Sequence, residues 1–452
     1  VAGAAVIDGD VTLSTGADLI TNTLGTDNVR IGENAGNSII ADNAGIGNVV
    51  IGKNAGTALT SSDSNVAIGT EALMTEDTTG NNVAVGQHAL RMANAGSDAY
   101  NVAVGYYAGQ IISTGRYNTL IGGGAGQFAT TAEGSTFIGY EAGQSIDGNR
   151  LTGGYNTVVG YQAGMVIQST CTQNTLIGTH AGRLLETGTS NTFVGHTCGD
   201  GTDDGADNTA VGQGALNANC GNNNTAVGKA ALDICTGQHN TAVGKDAGGG
   251  VTTGVENIFI GVLAGNHGVA QASGSGNICL GSYSDTTAVD SSLATAIGYD
   301  VSGAAGYTTI GTSGTTSRLA HGEEDWATVS DERIKKNVTD ATAGLSFIND
   351  LTPRTFKYKN RGELPETFKA YEADSTEVFN NSYTNHGFIA QEVKTVIDAH
   401  SEIKDGFKLW GERPDGCQEV AKSALMPILV KALQELSAKN DALAARIAVL
   451  EG

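Results

Sequence analysis

From Asn28 onward the chain repeats one short alternation of polar and apolar positions: Asn, a β-branched residue, a variable residue, Val or Ile, then Gly. NVRIGENAG begins at Asn28, NVVIGKNAG at Asn48, NVAIGTEAL at Asn65, NVAVGQHAL at Asn82 and NTLIGGGAG at Asn118. NTVVGYQAG follows at Asn156, NTLIGTHAG at Asn174, NTAVGKDAG at Asn240 and NIFIGVLAG at Asn257, with weaker copies near Ala294 and Tyr307. The spacing is mostly 16 to 21 residues and most often 17, which gives about seventeen copies. Alternation over four or five positions, closed by Gly, predicts one short strand per phrase and one coil per repeat. Gly suits tight corners that need positive φ, and the lack of Pro before Pro353 suits strands whose N–H groups are all used. A unit of this length can close a two-strand turn by itself. Each chain is therefore expected to wind its own stack, roughly 80 Å long at ~4.8 Å per coil, whereas three interleaved chains would give roughly 240 Å.

The second and fourth positions of the phrase share one face, while the third varies from Ala (Ala67, Ala84, Ala210) to Phe (Phe137, Phe193, Phe259). Both faces are thus partly apolar. One chain has few large residues to bury, so the second face is expected to pack on identical copies in a fibrous homo-oligomer, with Asn and Thr stacked in ladders from coil to coil.

Composition divides the chain. Of 452 residues 65 are Gly, and 58 of these precede Ser330, whereas Pro353, Pro365, Pro414 and Pro427 all follow it. The first 329 residues carry 9 basic against 28 acidic side chains, the last 123 carry 16 against 19, and the total net charge is -22. The expected organisation is an N-terminal segment 1–27 that serves attachment, a β-repeat shaft 28–313, a linker 314–329 and a small α+β domain 330–452. So acidic a chain, with no basic stripe, is expected to bind no nucleic acid and to avoid anionic membrane surfaces. No apolar run approaches the roughly 20 residues of a membrane span, and Val1 opens no signal-like segment; a Val in place of Met suggests an N-terminal piece either trimmed or left out. Six Cys without CxxC pairs read as reduced thiols made in a cytoplasm.

Residues 420–451 read as a helix with a heptad, Leu433, Asn440 and Ile447 at a and Leu436, Leu443 and Leu450 at d. These identities leave two or three strands open, and the bland alternative is a helix docked on its own domain. A β shaft with many equivalent registers has a need for such a clamp.

The Gly-rich phrase resembles the β-roll repeats of trimeric bacterial adhesin heads and, more closely, the repeats of phage tail fibres. From Ser330 the motifs SDERIKKNV, GLSFINDLTPRTFKYK at Gly344, HGFIAQEV at His386 and the run from Ala424 to Glu451 follow in order. Together they resemble the self-cleaving C-terminal intramolecular chaperone of phage tailspikes and fibres, the endosialidase-type serine peptidase domain. The resemblance implies a trimeric domain that sets three chains in register, nucleates the fibre and can then cut itself off. It also implies Ser330 as nucleophile toward the carbonyl of Val329, Lys335 as proton-transfer partner, and supporting roles for Asp331 and Arg333. Read without it, Ser330 with Asp331 and Glu332 would be a helix N-cap and its acidic first turn.

Other candidates are weaker. Tyr106, Tyr140, Tyr161 and Tyr299 all follow the phrase Gly, at an expected exposed corner, where they either stack on host glycans or cover the edges of neighbouring coils; the covering role is the commoner one. His196 and Cys198 are the one His and thiol pair at a suggestive spacing, and threefold symmetry would gather three such pairs around a metal, but Cys198 stands where other repeats have Ala and reads as a small buried residue. Gly122–Gly126 lacks the Lys and Ser or Thr of a phosphate loop. No cofactor and no metal are expected. The resulting expectation is a virion tail fibre made in the host cytoplasm, with other virion proteins and a host receptor as partners and at most single-turnover autoproteolysis. The alternatives are a bacterial trimeric surface adhesin and a fibre that degrades host glycans, though no acid-rich catalytic insert interrupts the repeats.

Overall fold

The computed structural model describes residues 27–39, 45–77, 80–268, 272–323, 327–328, 330–368, 370–403, 408–414 and 416–451. Apart from Asp27, the N-terminal segment 1–27 lies outside them, as does Val329. The chain divides into two compact units, residues 1–329 and 330–452.

The first unit is a β-solenoid. Its sheet has 19 strands among the described residues, 17 of them stacked parallel in one continuous series from Val29–Ile31 to Tyr307–Thr312. Successive repeats of the same chain are direct neighbours in register, as Thr175↔Thr192↔Thr209 and Leu176↔Phe193↔Ala210 illustrate. Each chain therefore winds its own stack, and the interleaved arrangement is excluded. The expected second strand forms only in the last coils, where Asp285–Thr286 pairs parallel with Ser302–Gly303; in the other described coils it is not formed. One three-residue strand alternates with a turn wall, because left-handed residues recur through the rest of the coil. Between Asn191 and Asn208 these are Thr197 (φ 51°), Gly199 (φ 62°) and Asp207 (φ 59°), and such backbone cannot stay extended. The turn wall is nonetheless bonded from coil to coil, as in Gly195 N–H to Ile177 O (2.8 Å) and Gly199 N–H to Ala215 O (2.9 Å). At the phrase Gly only Gly fits: Gly195 has φ 145°, and a Cβ there would come within 2.5 Å of the Gly212 carbonyl oxygen.

The phrase Asn and the third residue point into the coil, and the second and fourth point out. Asn191, Phe193, Asn208 and Ala210 are all buried. Inside, the Asn side chains form a ladder. The Oδ1 of Asn224 accepts the backbone N–H of Asn240 (3.0 Å), while Nδ2 of Asn240 donates to Asn224 Oδ1 (3.2 Å) and to Gly254 O (2.9 Å). The same side-chain-to-next-amide bond continues without a break from Asn28 to Ala294. At Ser135, the one position where Ser replaces Asn, the hydroxyl takes over and accepts Asn156 N–H at 3.2 Å.

In several coils core volume is conserved through a second position. Where the third residue is Phe, the residue six further on is Gly: Phe137 with Gly143, Phe193 with Gly199, Phe259 with Gly265. A Cβ on Gly143 would lie 2.8 Å from the Phe137 ring. Where the third residue is Ala, that position is often Leu, as in Ala67 with Leu73, Ala84 with Leu90, Ala210 with Leu216 and Ala226 with Leu232, all fully buried. The four Leu accept left-handed φ of 48–51° to reach the core. Close packing with one large side chain shared between the two positions explains how Ala and Phe alternate at these levels, whereas Ala103 with Gly109 and Ala242 with Gly248 do not follow the exchange.

The parallel stack ends in an antiparallel hairpin, Tyr307–Thr312 against Thr315–Ala320, to which Ala327–Thr328 adds. The stretch expected as a linker, 314–329, thus supplies paired backbone that covers the last edge of the sheet.

The second unit is a small α+β domain. Helix α1 (Leu345–Asp350), α2 (Ala390–Ala399) and the long α3 (Met426–Glu451) accompany two antiparallel pairs, Arg354–Phe356 with Asn385–Gly387 and Trp410–Glu412 with Gln418–Val420. Phe347, Leu351, Val393, Ile397, Leu409, Leu425 and Ile428 form its core. Helical structure begins with a 3-10 turn at Lys422–Leu425, two residues after the expected start, because Val420 is still paired; Pro427 then sits in the first turn of α3, where its missing N–H costs nothing. Among the described residues no helix is long and apolar enough to cross a membrane.

Candidate functional site

At the start of the second unit, residues 330–335 fold into a single turn that brings Ser330 and Lys335 together. Asp331, and not Ser330, caps the 3-10 turn Glu332–Ile334: its Oδ1 accepts the Arg333 N–H (2.9 Å). The Arg333 guanidinium forks onto the same carboxylate, Nε to Oδ1 at 2.9 Å and Nη2 to Oδ2 at 2.6 Å. This hydrogen-bonded cation holds the Asp331 carboxyl below its usual range. Lys335 N–H closes the turn on Glu332 O (3.0 Å), and the Lys335 ammonium donates from Nζ to Ser330 Oγ at 2.7 Å. All the side chains of the pair are exposed in the single chain. Chemically the contact is a nucleophile and a base candidate within proton-transfer reach; for Lys335 to act as base the bond must reverse, with the hydroxyl donating to a neutral amine.

Two further features bear on this unit. The Glu435 carboxylate of α3 accepts the Leu345 N–H at the start of α1 (2.9 Å), and Gly344 leaves it room, since a Cβ there would meet Glu435 Oε1 at 2.6 Å. Beyond that contact α3 is bare. Leu436, Leu443 and Ile447 are 47%, 53% and 53% exposed, and Leu433 and Leu450 are more so. Nearer the core, His400 is held between Glu402 Oε1 and Asp350 Oδ2, both at 2.9 Å, with its ring edge-on to Phe347. The hydrogen bonds to Glu402 and then Asp350 raise the imidazole above its ordinary value.

Along the shaft, Tyr106, Tyr140 and Tyr161 lie on one exposed corner and belong to an aromatic row. Tyr140 stacks on Tyr161 (centroids 5.6 Å), Tyr161 meets His180 (5.7 Å) and His180 meets His196 (6.3 Å). Tyr106 pairs with Tyr107 (3.9 Å), which pairs with His88 (4.9 Å). Tyr299 is not joined to these; it packs edge-on to Tyr283, which meets His267. Hydrogen bonding to Tyr107 raises the Tyr106 phenol, and hydrogen bonding to Glu141 raises that of Tyr140, so both remain O–H donors. Sequence reasoning missed the partners one residue further along, His88, Tyr107, His180 and Tyr283. It also missed a second row, Tyr100 and Tyr117 stacked at 5.9 Å with Tyr155 two coils on, although all three precede a phrase Asn or its equivalent at a fixed offset.

His196 and Cys198 are not brought together. The imidazole is on the outer corner, whereas Cys198 is fully buried, donates to Ala210 O, and has its thiol pushed up to about 12 by desolvation. Burial likewise pushes Cys171, Cys220 and Cys235 up to about 11 and Cys279 up to about 12, as befits core thiols. Among the described residues no three His, Cys, Asp or Glu side chains are grouped as a metal site.

A family model described as the chaperone of endosialidase, of the peptidase S74 type, matches residues 330–402, which include the Ser330 turn, α1 and α2 and end before α3. No curated protein and no solved structure matches the chain.

Proposed function

We propose that the protein is a homotrimeric tail fibre of a phage virion, with residues 330–452 as the intramolecular chaperone that aligns three chains and the solenoid as the attachment shaft. The observation that carries this is the bare heptad seam of α3, in a unit that matches the chaperone of endosialidase and directly follows a repetitive β stack. An amphipathic helix leaving Leu436, Leu443 and Ile447 in water is stable when identical helices cover them, and Asn440 at an a position fixes the register of such an assembly. The outward strand face repeats the theme: Ile121, Ile177, Val211 and Ile260 stay partly exposed in a continuous stripe that three copies would cover.

Autoproteolysis at Val329–Ser330 belongs to the same reading. Ser330 Oγ would bond to the Val329 carbonyl carbon as its proton passes to Lys335 Nζ. The Val329–Ser330 C–N bond then breaks, the proton goes to the new Ser330 amine, and water hydrolyses the ester. A lysine serves as base once desolvated, and the exposed Ser330–Lys335 pair would lose its water only when neighbouring chains pack around it, which delays the cut until assembly. Other virion proteins and a host-surface receptor are the remaining partners. Electron microscopy of virions with antibody against residues 28–313 tests the placement: label on tail appendages supports it, and label on uninfected bacterial surfaces indicates the adhesin reading instead.

A further inference from the structure

The aromatic row of the shaft corner has one missing rung. Tyr106 and Tyr107 end the row on one coil and Tyr140 resumes it two coils on, while the intervening coil presents Gly123 and Gly124. The result is an open cleft of about 100 Å³ lined by Tyr106, Tyr107, Tyr140, Gln127, Glu141 and Gln144 above the two glycines. At a coil spacing of ~4.8 Å the flanking rings stand roughly 9.6 Å apart. One flat ring placed midway would sit ~4.8 Å from each, within the range at which aromatic rings stack. A Cβ on Gly123 would meet the Tyr140 ring at 3.6 Å and Tyr106 O at 4.0 Å, so the notch lies between those two residues.

Its polar rim is laid out for hydroxyl groups, with the Tyr140 phenol and Gln162 already bonded to the Glu141 carboxylate, whose remaining lone pairs face the notch. Gln144 Nε2 donates to Gln127 Oε1 (3.1 Å) and Gln127 Nε2 donates to Gln110 Oε1 (3.0 Å). Each amide nitrogen carries two hydrogens, so this ladder leaves one N–H per Gln for a ligand. Glu141 Oε2 accepts from Gln162 (2.8 Å), and its second oxygen is an acceptor beside Tyr140.

We propose that the Gly123–Gly124 notch binds a neutral pyranose, sandwiched between Tyr106 and Tyr140 as the absent rung, with Gln127, Gln144 and Glu141 bonding its hydroxyl or acetamido groups. A pyranose has apolar C–H faces for the rings and equatorial hydroxyls for the amides. Anionic sugars are disfavoured by Glu141 and by a first unit carrying 28 acidic against 9 basic residues. As the receptor site of an attachment fibre, the notch rests on the function proposed above; as a sugar site, it is tested on its own.

The test is saturation-transfer NMR on the intact protein with methyl glycosides of glucose, galactose, mannose and N-acetylglucosamine, and with sialyllactose as the anionic probe. Gly123→Tyr fills the gap, at a position where a side chain makes ordinary contacts and the backbone is not left-handed. Tyr155→Ala is the control from the other tyrosine row. The expected result is transfer to at least one neutral glycoside, unchanged in Tyr155→Ala, reduced at least tenfold in Gly123→Tyr and in Tyr140→Ala, and none to the sialic acid residue. No transfer to any neutral glycoside, or transfer that survives Gly123→Tyr, overturns the proposal. Neither result touches the trimer reading, which oligomeric mass decides separately.

Discussion

Asn224 Oδ1 accepts the backbone N–H of Asn240, one coil on, at 3.0 Å, with both residues fully buried. That bond disfavours a slip of one residue, which would put a β-branched side chain where Asn belongs, but not a slip of a whole repeat, which matches Asn to Asn again. Asn224→Ala leaves the Asn240 N–H and the Gly237 carbonyl without this side chain, at about 1–3 kcal/mol for each buried group left unpaired. Asn224→Ser is expected to cost less, since Ser135 already serves in this ladder. Hydrogen exchange of the Asn240 amide checks the order: fastest in the Ala variant, intermediate in Ser, slowest in the parent.

Phe193 and Gly199 share one core volume. Phe193→Ala should destabilise the shaft by roughly 3–5 kcal/mol through the cavity it leaves. Adding Gly199→Leu should restore most of that loss, as Ala210 with Leu216 does in the next coil, whereas Gly199→Leu alone overpacks. Thermal midpoints of the three variants form the cycle, and equal midpoints for the single Ala and the double variant would refute the pairing.

His400 makes the C-terminal unit pH-sensitive. Its folded value is raised by Glu402 and Asp350, so its stabilisation is complete below the ordinary imidazole value near 6.5 and is lost as pH rises through the raised one. Glu402 is lowered by the same contact, so its share is lost only as pH falls through its depressed folded value. Calorimetry of the intact protein should show the C-terminal transition falling as pH rises through the raised His400 value, and a flatter profile in His400→Gln.

The repeat phrase made most of the shaft legible, because Gly and Asn at fixed offsets locate the strands from Thr119–Ile121 to Thr241–Val243, with Ser135 standing for Asn before Thr136–Ile138. The inward face was not legible from apolarity, since Val and Ile lie on both sides; the clue was that Asn shares parity with the third residue and is itself paired inside. The missing second strand was hidden because left-handed φ at residues such as Thr197 and His180 has no compositional mark. At Ser330 and Lys335 only the motif spoke, for five residues of separation do not by themselves imply a 2.7 Å contact.

Cleavage, where it occurs, should require both members of that contact. A denaturing gel of assembled protein is expected to show pieces of about 33 and 13 kDa, from ~110 Da per residue less a Gly correction. Ser330→Ala and Lys335→Ala should each leave one intact band without preventing assembly. A cut at the same bond in Ser330→Ala would rule out the dyad.

Sedimentation of the full chain beside a chain ending at residue 329 tests most directly whether residues 330–452 assemble the shaft in threes. The full Ser330→Ala chain should sediment at three times 45.9 kDa, and Leu443→Lys in the bare seam should lower that mass. The shortened chain should be monomeric or aggregated, because nothing else in it sets one chain in register with another. A full chain of 45.9 kDa, or a shortened chain that forms soluble trimers unaided, would contradict the account.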